Sequence, residues 1–156
     1  MTPAVKALDD LGFPYRLLEY DRDATGDRDI GLAAAAALSL PEEQVFKTLI
    51  AELAGGELVV AIIPVAAKLD LKQLARTCGV KSAALAETKA AERATGYLTG
   101  GISPLGQKRR HRTFLAEQAS AQDQIYVSAG RRGLELALSP GVLIEATKAR
   151  ICALVA

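Results

Sequence analysis

Two stretches hold residue types able to do chemistry. One is a lysine inside an apolar run, VFKTLIA at 45–51; the other is a glycine loop that runs into cations, GYLTGGISPLGQKRRHR at 96–112. The second holds four of the chain's thirteen glycines, then crowds four of its nineteen Lys and Arg residues, and its only His, into five positions. Gly100 and Gly101, followed by Ile102, Ser103 and Pro104, can turn consecutive backbone N–H groups toward one oxygen with no side chain in the way. Such a loop suits an anion or a developing negative charge. Taken alone, GGISPLG reads as a turn, with Pro104 fixing one dihedral and Gly106 freeing another. Two adjacent glycines beside Ser103 and Pro104 favour a charge-stabilising pocket instead.

Period-two alternation puts Lys47 on one strand face with Val45, Leu49 and Ala51, and Thr48 on the other. A strand lysine commonly snorkels to water. Among apolar neighbours, however, it also serves to aim a cation, or an amine of depressed pKa, at a substrate.

Other chemistries are excluded by spacing. Gly101 and Gly106 have the four-residue gap of a phosphate loop, but Gln107 stands where the lysine belongs, and no GxGxxG follows a strand. His111 is the only histidine, which argues against serine–histidine or cysteine–histidine catalysis and reads as a surface residue near phosphate. One His with the separated Cys78 and Cys152 makes no usual zinc set, so no metal is expected; both cysteines read as buried, reduced thiols. Lys108, Arg109, Arg110 and Arg112, with Arg131 and Arg132, would ordinarily form a solvated face, and here they can line the path of a phosphate backbone.

These residues need a frame, and 156 residues supply one domain, 1–156, with a real core. A formal net charge of +1 argues against indiscriminate nucleic-acid binding, and an aromatic content of 4% without Trp argues against base stacking on an aromatic sheet. DNA is not an expected partner. The start MTPAVKALDDLGF does not resemble a signal peptide and no segment reaches the length of a membrane span, so the expected location is cytoplasmic.

Along the chain, Thr2-Pro3 opens a short helix that Gly12 ends. Residues 13–20 read as extended, and DRDATGDRD reads as a mobile surface loop. An alanine-rich helix covers 31–38, and Pro41-Glu42-Glu43 suits another first helical turn. Two strands near 45–53 and 57–64 flank Gly55-Gly56. Asp70 and Gln73 make a capping box before a helix that Gly79 stops, and a weaker helix covers 87–94. Strands are expected near 113–116, 124–128 and 133–138, then a helix from Ser139-Pro140 to about 148, with ICALV as an edge strand. Helices mixed with mostly hairpin-linked strands indicate an α+β domain.

Five ordered segments, MTPAVKAL, VFKTL, PVAAKLDLKQLA, TGYLTGGISPLGQKRR and IYVSAGRRGLEL, together resemble the YbaK/EbsC family, most closely its Cys-tRNA(Pro) deacylase branch. The resemblance runs from the first residues to the final helix. It implies a compact α+β fold with a curved, barrel-like mixed sheet surrounded by helices, related to the editing domain inserted in some prolyl-tRNA synthetases. It implies hydrolysis of a mischarged tRNA after its release from the synthetase, by substrate assistance: the cysteinyl thiol attacks the ester, expels the tRNA and leaves a thiolactone that opens in water. No cofactor is implied. The family's lysine falls on Lys47, its N-terminal tyrosine on Tyr20 and its loop on Gly100, Gly101, Ile102, Ser103 and Pro104; Thr48 and Ser128 fall among the substrate-binding positions. Two departures stand out. Glu135 replaces the aspartate found after RGL in close members, and Ile30 stands where an aromatic residue is expected, so pocket shape and amino-acid preference are where this chain is expected to differ.

The leading expectation is therefore a trans-editing deacylase of Cys-tRNA(Pro), with prolyl-tRNA synthetase as a candidate partner. The alternatives are a deacylase of Ala-tRNA(Pro) or another small aminoacyl ester using activated water, and a non-catalytic tRNA- or synthetase-binding module.

Overall fold

The computed structural model describes residues 1–21, 23 and 29–156; most of the expected loop DRDATGDRD lies outside them. Thr2 caps helix α1 (Pro3–Leu11), its hydroxyl accepting from Val5 N–H at 3.3 Å, and Gly12 ends it at φ 74°. Strand β1 (Arg16–Glu19) follows, then α2 (Ile30–Ala37), where the Asp29 carboxylate accepts from Gly31 N–H at 3.0 Å. Pro41-Glu42-Glu43 gives only a 3-10 turn, Glu42–Gln44, before β2 (Phe46–Leu53) and β3 (Leu58–Pro64). Asp70 caps α3 (Leu71–Cys78) through Gln73 N–H at 3.0 Å, and left-handed Gly79 closes it. Strand β4 (Ala83–Leu85) and α4 (Thr88–Thr95) lead to the glycine loop. After it come β5 (Thr113–Ala116), a 3-10 turn at Glu117–Ala121, β6 (Ile125–Ser128), β7 (Leu134–Leu138), α5 (Pro140–Thr147) and β8 (Arg150–Cys152).

The class is α+β, as expected, but the strands do not close into a barrel. They form two sheets, ordered β1-β7-β6 and β4-β2-β3-β5-β8. The first is antiparallel throughout; in the second, β4, β2 and β3 run antiparallel, whereas β3, β5 and β8 run parallel. A single parallel bridge, Val45 to Tyr126, joins the sheets. Closure stops there because β4 covers β2 only from Ala51 to Leu53, and no strand among the described residues takes the remaining edge at 46–49. The gap that results is where a pocket opens.

The core fills the space between sheets and helices. Phe46, Ile62, Ile63, Leu74, Leu115, Ile125, Leu136, Leu138 and Leu143 are all essentially buried, each stabilising the fold by roughly 1.5–3 kcal/mol before entropy is counted. A smaller cluster, Val45, Val65, Tyr126, Ala137 and Ala35, packs under α2 and seals the inter-sheet bridge. No helix among the described residues is long and apolar enough to cross a membrane.

Asp70→Ala removes the α3 cap and is expected to lower unfolding stability by about 1 kcal/mol. Urea denaturation checks it: the midpoint falls while the slope stays at the wild-type value.

Candidate active site

A pocket of about 330 Å³ lies at the open edge of β2. Its walls come from Asp29, Ile30 and Gly31 at the start of α2, Val45 to Ile50 leading into β2, Leu85 and Ala86 at the end of β4, Thr88 and Ala91 of α4, Thr99, Gly100 and Ile102 of the glycine loop, and Ser128 with Glu135 from the other sheet. Among the described residues no group of three or more His, Cys, Asp or Glu could hold a metal ion.

Lys47 sits opposite Ile63 in the β2/β3 register, partly buried on the pocket wall. Among the described residues no carboxylate lies within ion-pair distance of it. Thr48 was expected on the other face, yet it lines the same pocket, with its hydroxyl buried and unpartnered. The open strand edge explains this: with no strand among the described residues paired along 46–49, the cavity reaches around the backbone to both faces.

The glycine loop is held from beneath by Tyr97. Its ring is buried, and its hydroxyl donates to Leu105 O at 2.5 Å, close to the Ala4 backbone in the first turn of α1. Burial pushes this phenol up to about 12. Thr99 N–H donates to the Glu92 carboxylate at 2.8 Å and Lys108 N–H to Thr95 O at 2.8 Å, so both flanks of the loop are tied to α4. Gly100 needs its φ of 94°, which side chains rarely adopt. Gly101 needs its small size, because a Cβ there would stand 2.6 Å from Arg131 Cα.

The loop's amides are unequal. Gly101 N–H is spent on Leu98 O at 2.9 Å. Gly100 and Ile102 line the pocket, and neither N–H has an acceptor among the described residues. Ser103 is wholly buried, its hydroxyl accepting from Leu105 N–H at 3.2 Å, and with buried Pro104 it supports the loop from outside the pocket wall. The arrangement thus offers two free donors and a nearby cation.

Glu135, on β7 opposite Ser128 of β6, is 6% exposed, and its Oε2 has no partner among the described residues. Burial pushes its carboxyl up to about 8, so at neutral pH it is largely protonated. Tyr20 stands beside the pocket rather than on its wall; burial raises its phenol, with Glu135 adding and Arg132 opposing. Ser128 Oγ accepts from Gly130 N–H at 3.2 Å.

The six basic residues separate into two groups. Arg131 and Arg132 are exposed and flank the glycine loop, where a Cβ on Gly100 would lie 3.7 Å from Arg132 Nε. Lys108 packs against Gly96, while Arg109, Arg110 and Arg112 line a different concavity. His111 is half-buried, with Nδ1 at 3.0 Å from Gln107 Oε1, and burial lowers its pKa with help from Arg109. Cys78 and Cys152 are free but only partly buried. Sequence reasoning missed Tyr97; an aromatic residue wedged between the helix-ending Gly96 and the Gly100-Gly101 pair was its one available signal.

Comparison with known proteins adds an independent line. The aminoacyl-tRNA editing domain model matches residues 28–146. An Enterococcus faecalis protein named as a candidate Cys-tRNA(Pro)/Cys-tRNA(Cys) deacylase, EbsC, is 36% identical over 146 residues, covering 94% of this chain and 88% of its own. Among solved structures, a candidate trans-editing enzyme for prolyl-tRNA synthetase superposes with a TM-score of 0.87 at 21% identity, covering 99% of this chain and 95% of its own. A hypothetical protein superposes equally well, at 0.87 and 24% identity, covering 99% of both chains. At such identities these two likenesses concern the fold.

Tyr97→Phe takes from Leu105 O its buried hydroxyl donor and is expected to cost about 1–3 kcal/mol, read from urea denaturation. Glu135 generates a pH signature. Between about pH 5 and 8 the folded chain keeps a proton that the unfolded chain has released, so folding stability declines as pH rises through that window. Glu135→Gln removes this titration, and its stability relative to wild type should climb across the window by up to about 3 kcal/mol. Thermal melts at fixed ionic strength decide it; a difference that stays flat with pH contradicts the protonated carboxyl.

Proposed function

The chain belongs to the aminoacyl-tRNA editing domain family, and from that premise we propose that it is a single-domain, trans-acting deacylase that clears Cys-tRNA(Pro). The observation that carries this reading is the composition of the pocket. Lys47 and the Gly100 and Ile102 amides surround one small space whose described lining holds neither Cys nor His. A site that stabilises charge but lacks an activated nucleophile of its own suits a substrate that brings one.

In this reading Lys47 positions the terminal ribose and the polar groups of the aminoacyl ester, with Tyr20 and Thr48 completing the surround. The cysteinyl sulfur attacks its own ester carbonyl, and the oxygen that gains charge is received by the Gly100 and Ile102 N–H groups. A well-aimed donor of this kind contributes about 3 kcal/mol to the transition state. The carbon–oxygen bond to the ribose then breaks, the thiol proton ends on the departing ribose oxygen, and the thiolactone leaves to open in water. Glu135 and Ser128 face the substrate's amino group, and Ile30 bounds the side-chain end of the pocket. Arg131 and Arg132 attract the phosphates of the acceptor end. Prolyl-tRNA synthetase is the partner that would hand over the tRNA, and the cytoplasm is where both would be met.

Glu135 favours a second reading. An unpartnered carboxyl titrating at about 8 inside the pocket can act as a general base for water, which would remove thiol-free esters such as Ala-tRNA(Pro). The readings differ in what they need.

The test compares Cys-, Ala- and Ser-tRNA(Pro) hydrolysis by wild type, Lys47→Ala and Glu135→Gln, with a trap for thiolactone. Loss of the cysteinyl ester alone, with thiolactone captured and Lys47→Ala slowed at least about 100-fold, is the expected result. Equal loss of all three esters, rising with pH and abolished by Glu135→Gln, assigns the chemistry to activated water. Intact esters throughout, with salt-sensitive tRNA binding, reduce the protein to a binding module.

A further inference from the structure

A larger concavity, about 920 Å³, lies away from the pocket just described. It sits where the parallel strands β3, β5 and β8 begin, whereas Lys47 is level with Ile63 near the far end of β3. Five residues of strand separate Leu58 from Ile63, about 16 Å, so a ligand in the concavity does not touch the ester.

Its walls carry five cations from two segments far apart in sequence, 109–112 and 148–150. Arg109, Arg110 and Arg112 precede β5, Lys148 ends α5, and Arg150 opens β8. Parallel pairing brings these strand starts to one edge, and Glu57 is the only carboxylate lining it among the described residues. In a chain of net charge +1, this clustering of like charges is unfavourable until an anion enters. Glu57 holds Arg112 by two hydrogen bonds, Nε to Oε2 at 2.8 Å and Nη2 to Oε1 at 2.9 Å, with the guanidinium 5.8 Å from the Phe114 ring centre. Arg112 is therefore oriented in advance, yet half neutralised by a partner that a phosphate can displace. Lys148 adopts φ 61°, the left-handed helix end where glycine is the ordinary residue. Its charge is thus held at the rim despite the backbone strain.

We infer that this concavity is a second phosphate-binding site, which takes backbone phosphates of the tRNA outside the aminoacyl pocket. The RNA assignment rests on the proposed function above. Backbone rather than base recognition is favoured by the lining: it is rich in cations, Phe114 is already covered by Arg112, and the His111 ring is held by Gln107. The groove also continues past Arg109 and Arg110 to Pro104 and Gln107 on the outer side of the glycine loop. One strand of RNA backbone can therefore follow cations away from the loop.

Binding of uncharged tRNA, followed by fluorescence anisotropy across a salt series, tests the site without requiring turnover, beside calorimetry with inorganic tripolyphosphate. The double variant Arg109→Gln/Arg150→Gln should bind tRNA about tenfold more weakly, with a log–log salt slope lower by about 2. Lys148→Gly should lose about threefold in affinity while melting no lower than wild type, because glycine suits that backbone; this separates lost binding from lost folding. Glu57→Gln should bind more tightly, since it releases Arg112. Cleavage of a cysteinyl trinucleotide ester, too short to reach the concavity, should be unchanged in all of them.

Unaltered binding of both tRNA and tripolyphosphate by the double variant overturns the site. Loss of tripolyphosphate binding alone supports the phosphate site and overturns RNA as its ligand. A protein that binds tRNA through these cations but leaves Cys-tRNA(Pro) intact refutes the proposed substrate while supporting this second site.

Discussion

The buried hydroxyl of Tyr97 is the point on which the site's geometry depends. It lies where three parts of the chain meet: the first turn of α1, the far arm of the glycine loop through Leu105, and the turn after β6, where Gly130 leaves room for the ring. A Cβ at Gly130 would stand 2.8 Å from Tyr97 Cε1. A polar atom so deeply enclosed is tolerable only when every bond it can make is made. That requirement helps to fix the loop, because moving it by an ångström would part the Leu105 carbonyl from its buried donor. Amides aimed by such a support need no rearrangement when charge develops, which is the condition for an effective oxyanion site.

The pocket itself exists because the sheets fail to close. A complete barrel would have satisfied the edge of β2 with another strand and filled the space beside it. Instead a bridge at Val45 and Tyr126 links sheets that share one core, while no strand among the described residues pairs along 46–49 on this edge. An exposed strand edge is a hazard for aggregation. Here it lies recessed beneath α2 and the glycine loop, where a charged side chain, Lys47, also discourages another strand from pairing. The same local incompleteness thus creates the cavity and protects it.

Much of this was legible before any coordinates. Caps at Thr2, Asp70 and Ser139 and stops at Gly12, Gly79 and Gly96 bracket helices within a residue or so of those observed, since these signals are local. Lys47 and the Gly100-Gly101 pair stood out because lysine is out of place in an apolar run and paired glycines are out of place in a rigid one. The sites' assembly was less legible. Nothing in LVVAIIP or TFLA says that β3 and β5 run parallel, because pairing direction is decided by partners far away in sequence. The reach of Thr48 into the pocket followed from a missing neighbour, which no residue encodes. Lys148 and Arg150 belong to no motif in the sequence, and only parallel pairing aligns them with Arg109, Arg110 and Arg112.

The order of pairing carries a further consequence, for synthesis. Strand β1 waits for β7, with Leu18 set opposite Glu135, and β5 waits for β8. The β1–β7 contacts, separated by more than a hundred residues, form late and slow the search for the native state. A ribosome must therefore extrude most of the chain before the pocket's second wall can arrive, and until then the Lys47 edge has no Glu135 across from it. The nascent chain therefore holds only part of the pocket lining until β6 and β7 have been made.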